Sequence, residues 1–252
     1  NLTGSTDYTI KVEVVDKGNN PGTGTAQATT LKAPATNVNE LEAGDYVYYE
    51  DGQGTRQLCA VLYDSSSPYG VEIITMNTVE DITLGNSSNF TKAMNSYNSA
   101  ISTLNNATSK YINTTYADEA RSVGSVPDNP SSEAGMHTTQ FGGSYSGRLR
   151  DTDTNYETDW NQMDTLGIRG IDEYYWLASR SVSSFSSYSD FYVRRVGTSG
   201  NLSYGNLCIV HSNGSTLSHS VGHGLRPVFH LKSNIKVTGG TGEEGSPYTL
   251  GT

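Results

Sequence analysis

Between Tyr8 and Val15 the apolar residues Tyr8, Ile10, Val12 and Val14 alternate with Thr9, Lys11 and Glu13. A period of two predicts a half-buried strand. Asp16-Lys17-Gly18-Asn19-Asn20-Pro21-Gly22 interrupts it, and the Thr-rich run from Thr23 to Leu31 predicts a second strand, so the chain opens with a hairpin. Ala33-Pro34-Ala35-Thr36 reads as a linker. Beyond it, Val47 to Tyr49, Leu58 to Leu62 and Val71 to Met76 predict short strands, with turns at Asp51-Gly52-Gln53-Gly54 and Ser65-Ser66-Ser67-Pro68.

From Phe90 the period changes. Phe90, Met94, Tyr97, Ile101 and Leu104 recur every three or four residues, which predicts one helix with a single apolar face running on toward Tyr111. A shorter second helix is expected at Tyr116 to Val123. Residues 124–147 are rich in Gly, Ser and Pro and carry no period, a loop length that compact domains reserve for function or covering. The final third returns to strands, at Tyr174 to Ala178, Phe191 to Val196, Leu207 to Val210 and Leu225 to Leu231, separated by long Ser, Gly, Asn and His segments. Strands, two helices and strands again predict an α+β domain over 37–252, with 1–32 a β-type remnant or spacer. No internal repeat has a fixed period.

Composition narrows the function. The 252 residues carry a formal charge of −10, which lacks the positive field that holds nucleic acid or anionic lipid. Only 34% of residues are hydrophobic, so the core must be compact and the loops long. Seventeen Tyr and 27 Gly beside abundant Ser, Thr and Asn, with charged residues at 17%, suit an extracellular binding surface. No stretch approaches the ~20 apolar residues of a membrane helix. The chain opens at Asn1 without Met or leader and is expected to be a piece of something longer, with its targeting signals elsewhere. Cys59 and Cys208 exclude a four-Cys zinc site and leave two readings open, one disulfide or two buried thiols.

Two resemblances bear on this picture. The opening 33 residues resemble the last two strands of a fibronectin-type-III or Ig-like module, which implies that the rest of the module lay upstream. Tyr175-Trp176-Leu177-Ala178-Ser179-Arg180, followed by Gly224-Leu225-Arg226-Pro227-Val228, resembles a signature of bacterial and phage proteins with the C-type-lectin fold, several of them variable proteins of diversity-generating retroelements. The text from Gly70 to Asp81, from Ala93 to Ile112 and after Leu231 is similar to other parts of such proteins. The resemblance implies a C-type-lectin fold with two helices and mainly antiparallel strands, displaying a variable face to an external ligand, on a bacterial cell surface or a phage tail. The bracketed segment is Ser181 to His223.

The residues of that segment support a binding surface on their own chemistry. Phe185, Tyr188, Tyr204, His211, His219 and His223 stand among Ser, Gly and Asn, as in antibody-like paratopes, where rings supply contact area at low entropy cost and small polar residues adapt. Asn201, Asn206 and Asn213 complete the expected ligand-binding set with Arg195, because Arg194 and Arg195 alternate along a strand and one of them should face the ligand. Adenine-directed mutation of Asn codons yields Ser, Tyr, His, Asp and Gly, the same mixture. The competing reading is a merely soluble, Ser-rich loop. The aromatic and imidazole tips are expected to converge on one exposed surface, with the two helices on the far side.

Metal and catalytic readings are weighed on the same terms. Asp151, Asp153, Asn155, Glu157 and Asp159 place oxygen ligands at every second residue, which makes the first four candidate calcium ligands. Tyr156 stands where a calcium loop has Gly and Gln162 where it has Glu, and the alternative is an exposed acidic loop capping a helix or strand near Trp160. The Glu-Pro-Asn and Trp-Asn-Asp triplets of sugar-binding animal lectins are absent. His211, His219 and His223 read as binding-surface histidines rather than zinc ligands, since the surrounding Gly and Ser deny a helix. There is no Gly-x-Ser-x-Gly elbow and no close cysteine pair of the kind an enzyme on this fold would use. Trp176 and Arg226 are expected in the framework, the Arg anchoring the last strand. Sequons at Asn86, Asn89, Asn106, Asn113, Asn201 and Asn213 follow from composition. The expectation is a non-enzymatic recognition protein with no cofactor save calcium and an external protein or glycan as ligand. A non-variable structural or adhesion module is the alternative.

Overall fold

The computed structural model describes residues 7–29, 33–125, 156–185 and 187–252. The chain divides into two compact units, Asn1–Ala35 and Thr36–Thr252.

In the first unit β1 (Asp7–Val15) pairs antiparallel with β2 (Pro21–Thr29). The turn is held by the Asp16 carboxylate, which accepts from the backbone N–H of Gly18 at 2.8 Å and of Asn20 at 2.9 Å. Asn19 takes the left-handed φ of 63° that such a turn needs and that Asn tolerates. The register sets Ile10, Val12 and Val14 opposite Ala26, Gly24 and Gly22, on one face of the ribbon. Those three side chains remain exposed, so this hairpin buries little of its own apolar surface.

The second unit is α+β and mostly strand. A seven-stranded sheet contains β3 (Tyr46–Glu50), β4 (Arg56–Tyr63), β5 (Glu72–Thr75), β7 (Ala117–Ser122), β13 (Pro227–Leu231), β14 (Lys236–Gly239) and β15 (Tyr248–Gly251). A six-stranded sheet contains β6 (Glu80–Gly85), β8 (Tyr175–Ser184), β9 (Tyr188–Val196), β10 (Leu202–His211), β11 (Thr216–Ser218) and β12 (Ser220–Leu225). The orders are β14-β15-β3-β4-β5-β13-β7 and β11-β10-β9-β8-β12-β6. Pairing is antiparallel except for β15 with β3 and β12 with β8. The helices are α1 (Phe90–Asn98), α2 (Ala100–Thr108) and α3 (Tyr156–Thr165).

The apolar stripe from Phe90 to Leu104 is carried by two helices rather than one. Asn89 caps α1 by accepting from Lys92 N–H at 2.9 Å. At Ser99 the backbone leaves the helix (φ −99°, ψ 10°) and the Ser99 hydroxyl donates to the Asn95 carbonyl at 3.0 Å, a local bond that competes with the helix ladder. The stripe keeps its register across the break: Ala93, Met94, Tyr97, Ile101 and Leu104 are all buried. Of these, Met94, Ile101 and Leu104 each contribute about 1.5–3 kcal/mol on being withdrawn from water.

The helix expected at Tyr116 to Val123 is instead strand β7, paired from Pro227↔Ser122 to Leu231↔Ala117. Its apolar face was too small to hold a helix, and ladder pairing with β13 overrides local propensity. The strand expected over Leu225 to Leu231 is two strands in different sheets, with the crossing at Arg226. This buried guanidinium donates from Nε to the Thr75 carbonyl at 2.6 Å and from Nη1 to the Ile168 carbonyl at 2.8 Å, so the anchoring expected of it is met by backbone oxygens. The helix or strand expected near Trp160 is helix α3.

The core between the sheets gathers Leu62 and Ile74 from one, Tyr175, Leu177 and Val196 from the other, and Met163 from α3. Beside it lies a buried ionic network. Arg121 on β7 donates from Nε and Nη2 to the Glu72 carboxylate at 3.2 and 2.6 Å, and from Nη1 and Nη2 to the Asp159 carboxylate at 2.5 and 3.0 Å. Asp159 also accepts from Gly124 N–H at 2.8 Å and Tyr63 hydroxyl at 2.9 Å. Burial opposes the Arg121 charge, but the Asp159 and Glu72 carboxylates more than offset it and hold its pKa above the ordinary value. The network ties β5, β7 and α3 together. Cys59 and Cys208 are buried free thiols, which decides between the two readings of the cysteines.

Candidate ligand-recognition face

Within the segment from Ser181 to His223 the strands expected at Phe191 to Val196 and Leu207 to Val210 are present as the longer β9 and β10, and further strand stands where Ser, Gly, Asn and His connections were expected. The register therefore decides which side chains share a face. Tyr188 pairs with His211, Tyr192 with Asn206 and with Ser181, and Arg194 with Tyr204. Directly paired residues project to the same side and alternate residues along a strand do too. One face of the six-stranded sheet thus carries Tyr188, Asp190, Tyr192 and Arg194 from β9 and Tyr204, Asn206 and His211 from β10.

Near the hairpin ends, Phe185 stacks on Tyr188 at a ring separation of 4.6 Å, and Tyr188 lies 5.9 Å from the His211 ring. Ser212 N–H donates to the Ser187 carbonyl at 2.8 Å and closes the two turns on each other. Further along, the Tyr192 and Tyr204 rings lie 5.5 Å apart. The Tyr192 hydroxyl donates to Asp190 Oδ2 at 2.7 Å, and Asn206 Nδ2 donates to Asp190 Oδ1 at 3.1 Å. Burial and the bond to Asp190 raise the Tyr192 pKa. Phe185 and Tyr204 are among the most exposed large apolar side chains, at 46% and 45%. Below them Arg194 is spent on the scaffold: its guanidinium sits 4.5 Å over the Tyr156 ring and donates to Ser179 Oγ at 2.6 Å and to the Arg180 carbonyl.

The opposite face rests on α1 and α2, where Tyr97 packs edge-on against Phe191 at 5.3 Å. At its β12 end Arg195 donates from Nη1 to His223 Nε2 at 2.5 Å and lies 4.8 Å over the Tyr174 ring, while His223 meets the Trp176 ring at 4.7 Å. The expected convergence on one surface is therefore corrected. Phe185, Tyr188, Tyr204, Asn206 and His211 share a side; Arg195 and His223 lie on the other, because strand alternation turns Arg194 and Arg195 in opposite directions. His219 is exposed in the short link between β11 and β12.

Two expected ligand residues serve turns. Asn201 Oδ1 accepts from Ser199 Oγ at 2.9 Å in the β9–β10 connection, and Asn213 Oδ1 accepts from Ser215 N–H at 2.9 Å in the β10–β11 connection. Both are side-chain-closed turns of the kind Asn favours. Asp190 and Tyr192 were missed, although period two from Tyr188 points to them. Of the calcium candidates, Asp151, Asp153 and Asn155 lie outside the described residues, and Glu157 is exposed in the first turn of α3. Among the described residues no group of His, Cys, Asp or Glu is arranged to hold a metal ion, and no helix is long and apolar enough to cross a membrane.

No protein-family model, curated protein or solved structure matches the chain.

Proposed function

We propose that Thr36–Thr252 is a C-type-lectin-fold domain that recognises an external protein through the β9–β10 face, and that the Ser181 to His223 segment is diversified by a retroelement. The observation that carries this reading is the contrast within one sheet. Phe185, Tyr188, Tyr204 and His211 stand at least partly open on one side, whereas the framework residues Trp176, Leu177 and Leu225 of the same sheet are fully buried. Open rings among small polar residues can be exchanged without touching the core, and rings on a rigid strand pair offer contact area at little entropic cost. Two consecutive helices against a mainly antiparallel sheet agree with the fold that the Trp176 and Arg226 signatures imply. On this reading the protein works outside the cell, on a bacterial surface or a phage tail, by binding rather than catalysis.

The neighbouring DNA tests it. A reverse-transcriptase gene beside a near-copy of codons 181–223 that differs at adenines is expected, with substitutions concentrated at 185, 188, 190, 192, 204, 206 and 211. A locus without such a copy overturns the retroelement reading.

A further inference from the structure

The corner of the face around Asp190 has an unusual hydrogen-bond balance. Asp190 is 5% exposed, yet among the described residues it has no cationic partner; it is held by two neutral donors, the Tyr192 hydroxyl and the Asn206 amide. The bond from Asn206 Nδ2 to a carboxylate fixes the amide orientation, since the reverse would set oxygen against oxygen. It leaves Asn206 Oδ1 buried and without a hydrogen-bond partner. The Tyr192 hydroxyl, having given its proton to Asp190, has only lone pairs left to offer. Asn206 Oδ1, the Tyr192 hydroxyl oxygen and the Asp190 carboxylate are thus three acceptors side by side, one of them charged and one of them orphaned at the cost such burial carries. The Tyr192 and Tyr204 rings stand beside them. Acceptors beside aromatic faces match one chemistry, an organic cation that donates several hydrogen bonds and lies against π-electron faces. Arg194, the nearest cation along the strand, is turned onto Tyr156, Ser179 and the Arg180 carbonyl.

We propose that the Asp190–Tyr192–Tyr204–Asn206 corner takes the ammonium or guanidinium group of a Lys or Arg side chain presented by a protein ligand. This rests on the reading of the β9–β10 face as the recognition surface and names what that surface reads. The net charge of −10 favours approach of a basic partner.

The test uses the whole chain and three blocked peptides, acetyl-Gly-Lys-Gly-amide and its norleucine and glutamate counterparts, followed through the Tyr192 and Tyr204 ring resonances. The Lys peptide is expected to give saturable shifts, with norleucine and glutamate weaker by about tenfold or more, as loss of a charge-assisted bond and a cation–π contact requires. Asp190→Asn should remove the preference for Lys. Because Asp190 is buried, Tyr204→Ala at an exposed position provides a second variant and should weaken the Lys peptide by about threefold to thirtyfold while leaving the fold intact. Equal response to Lys and norleucine, or no saturable response to Lys, overturns the proposal. A neutral peptide or glycan that binds the face with Asp190→Asn indifferent overturns the cation and leaves the recognition face standing. A locus without a template copy removes the retroelement and leaves the cation untouched.

Discussion

Arg195 donates from Nη1 to Nε2 of His223 at 2.5 Å, and this contact settles the state of the imidazole. A guanidinium has no acceptor, so Nε2 must be the lone-pair nitrogen and the proton sits on Nδ1. Burial, and then the Arg195 charge, lower the His223 pKa to about 4.

The pH dependence follows from that depression. Above pH 6.5 the ring is neutral in both folded and unfolded chains and the contact is intact. As pH falls from 6.5 toward 4 the unfolded chain takes the proton first, so stability declines across that window. In His223→Gln this part of the decline should disappear from melting curves taken at pH 7.5 and 4.5. Arg195→Gln should move the His223 ring titration, read by NMR, upward toward 6.5.

Arg121 neutralises two buried carboxylates at once, so its removal should be severe. Arg121→Met leaves Glu72 and Asp159 buried without a cation and should cost about 3–5 kcal/mol in denaturant unfolding. Arg121→Lys keeps the charge but cannot span both carboxylates with a planar fork, and should recover only part of the loss.

Gly205 faces the Trp176 ring. A Cβ built there would meet Trp176 Cη2 at 2.6 Å, well inside contact distance. Gly205→Ala should therefore destabilise by about 1–3 kcal/mol, as overpacking does, with a change in Trp fluorescence reporting the displaced indole. Substitutions at Tyr188, Tyr204 and His211 on the open side should each stay within about 0.5 kcal/mol. Equal sensitivity at both sets of positions would contradict the division between framework and exchangeable face.

Both thiols should resist modification in the folded protein. Cys59 and Cys208 are fully buried, and burial pushes the Cys208 thiol up to about 12 and Cys59 higher still. A thiol-reactive dye should label neither until denaturant is added, then both.

Much of the strand pattern was legible because alternation of apolar and polar residues is local. Tyr8 to Val15, Val47 to Tyr49 and Leu58 to Leu62 all lie in strands. Misreadings arose where a distant partner decides. Residues 117–122 become strand through pairing with β13, and the polar run from Ser181 to Ser184 extends β8 because β9 lies beside it. Ser and Asn carry weak strand signals, so β9 and β10 were read only over Phe191 to Val196 and Leu207 to Val210, short of the Ser- and Asn-rich ends that carry much of the face. The candidate site was half visible: ring-bearing positions stand out among Ser and Gly, but which side each ring takes depends on cross-strand register and on the bulges between Trp176 and Arg180 and between Asn206 and Cys208. The Arg121 network was invisible for the same reason, its members lying 49 and 38 residues apart.

Strand β15 pairs parallel with β3, and Asn37 bridges to Lys236 on β14, so residues at the beginning and the end of the larger unit run along one border of the seven-stranded sheet. Removal of residues 236–251 should therefore unpair β3 on that side and bare its main-chain edge rather than merely shorten the chain.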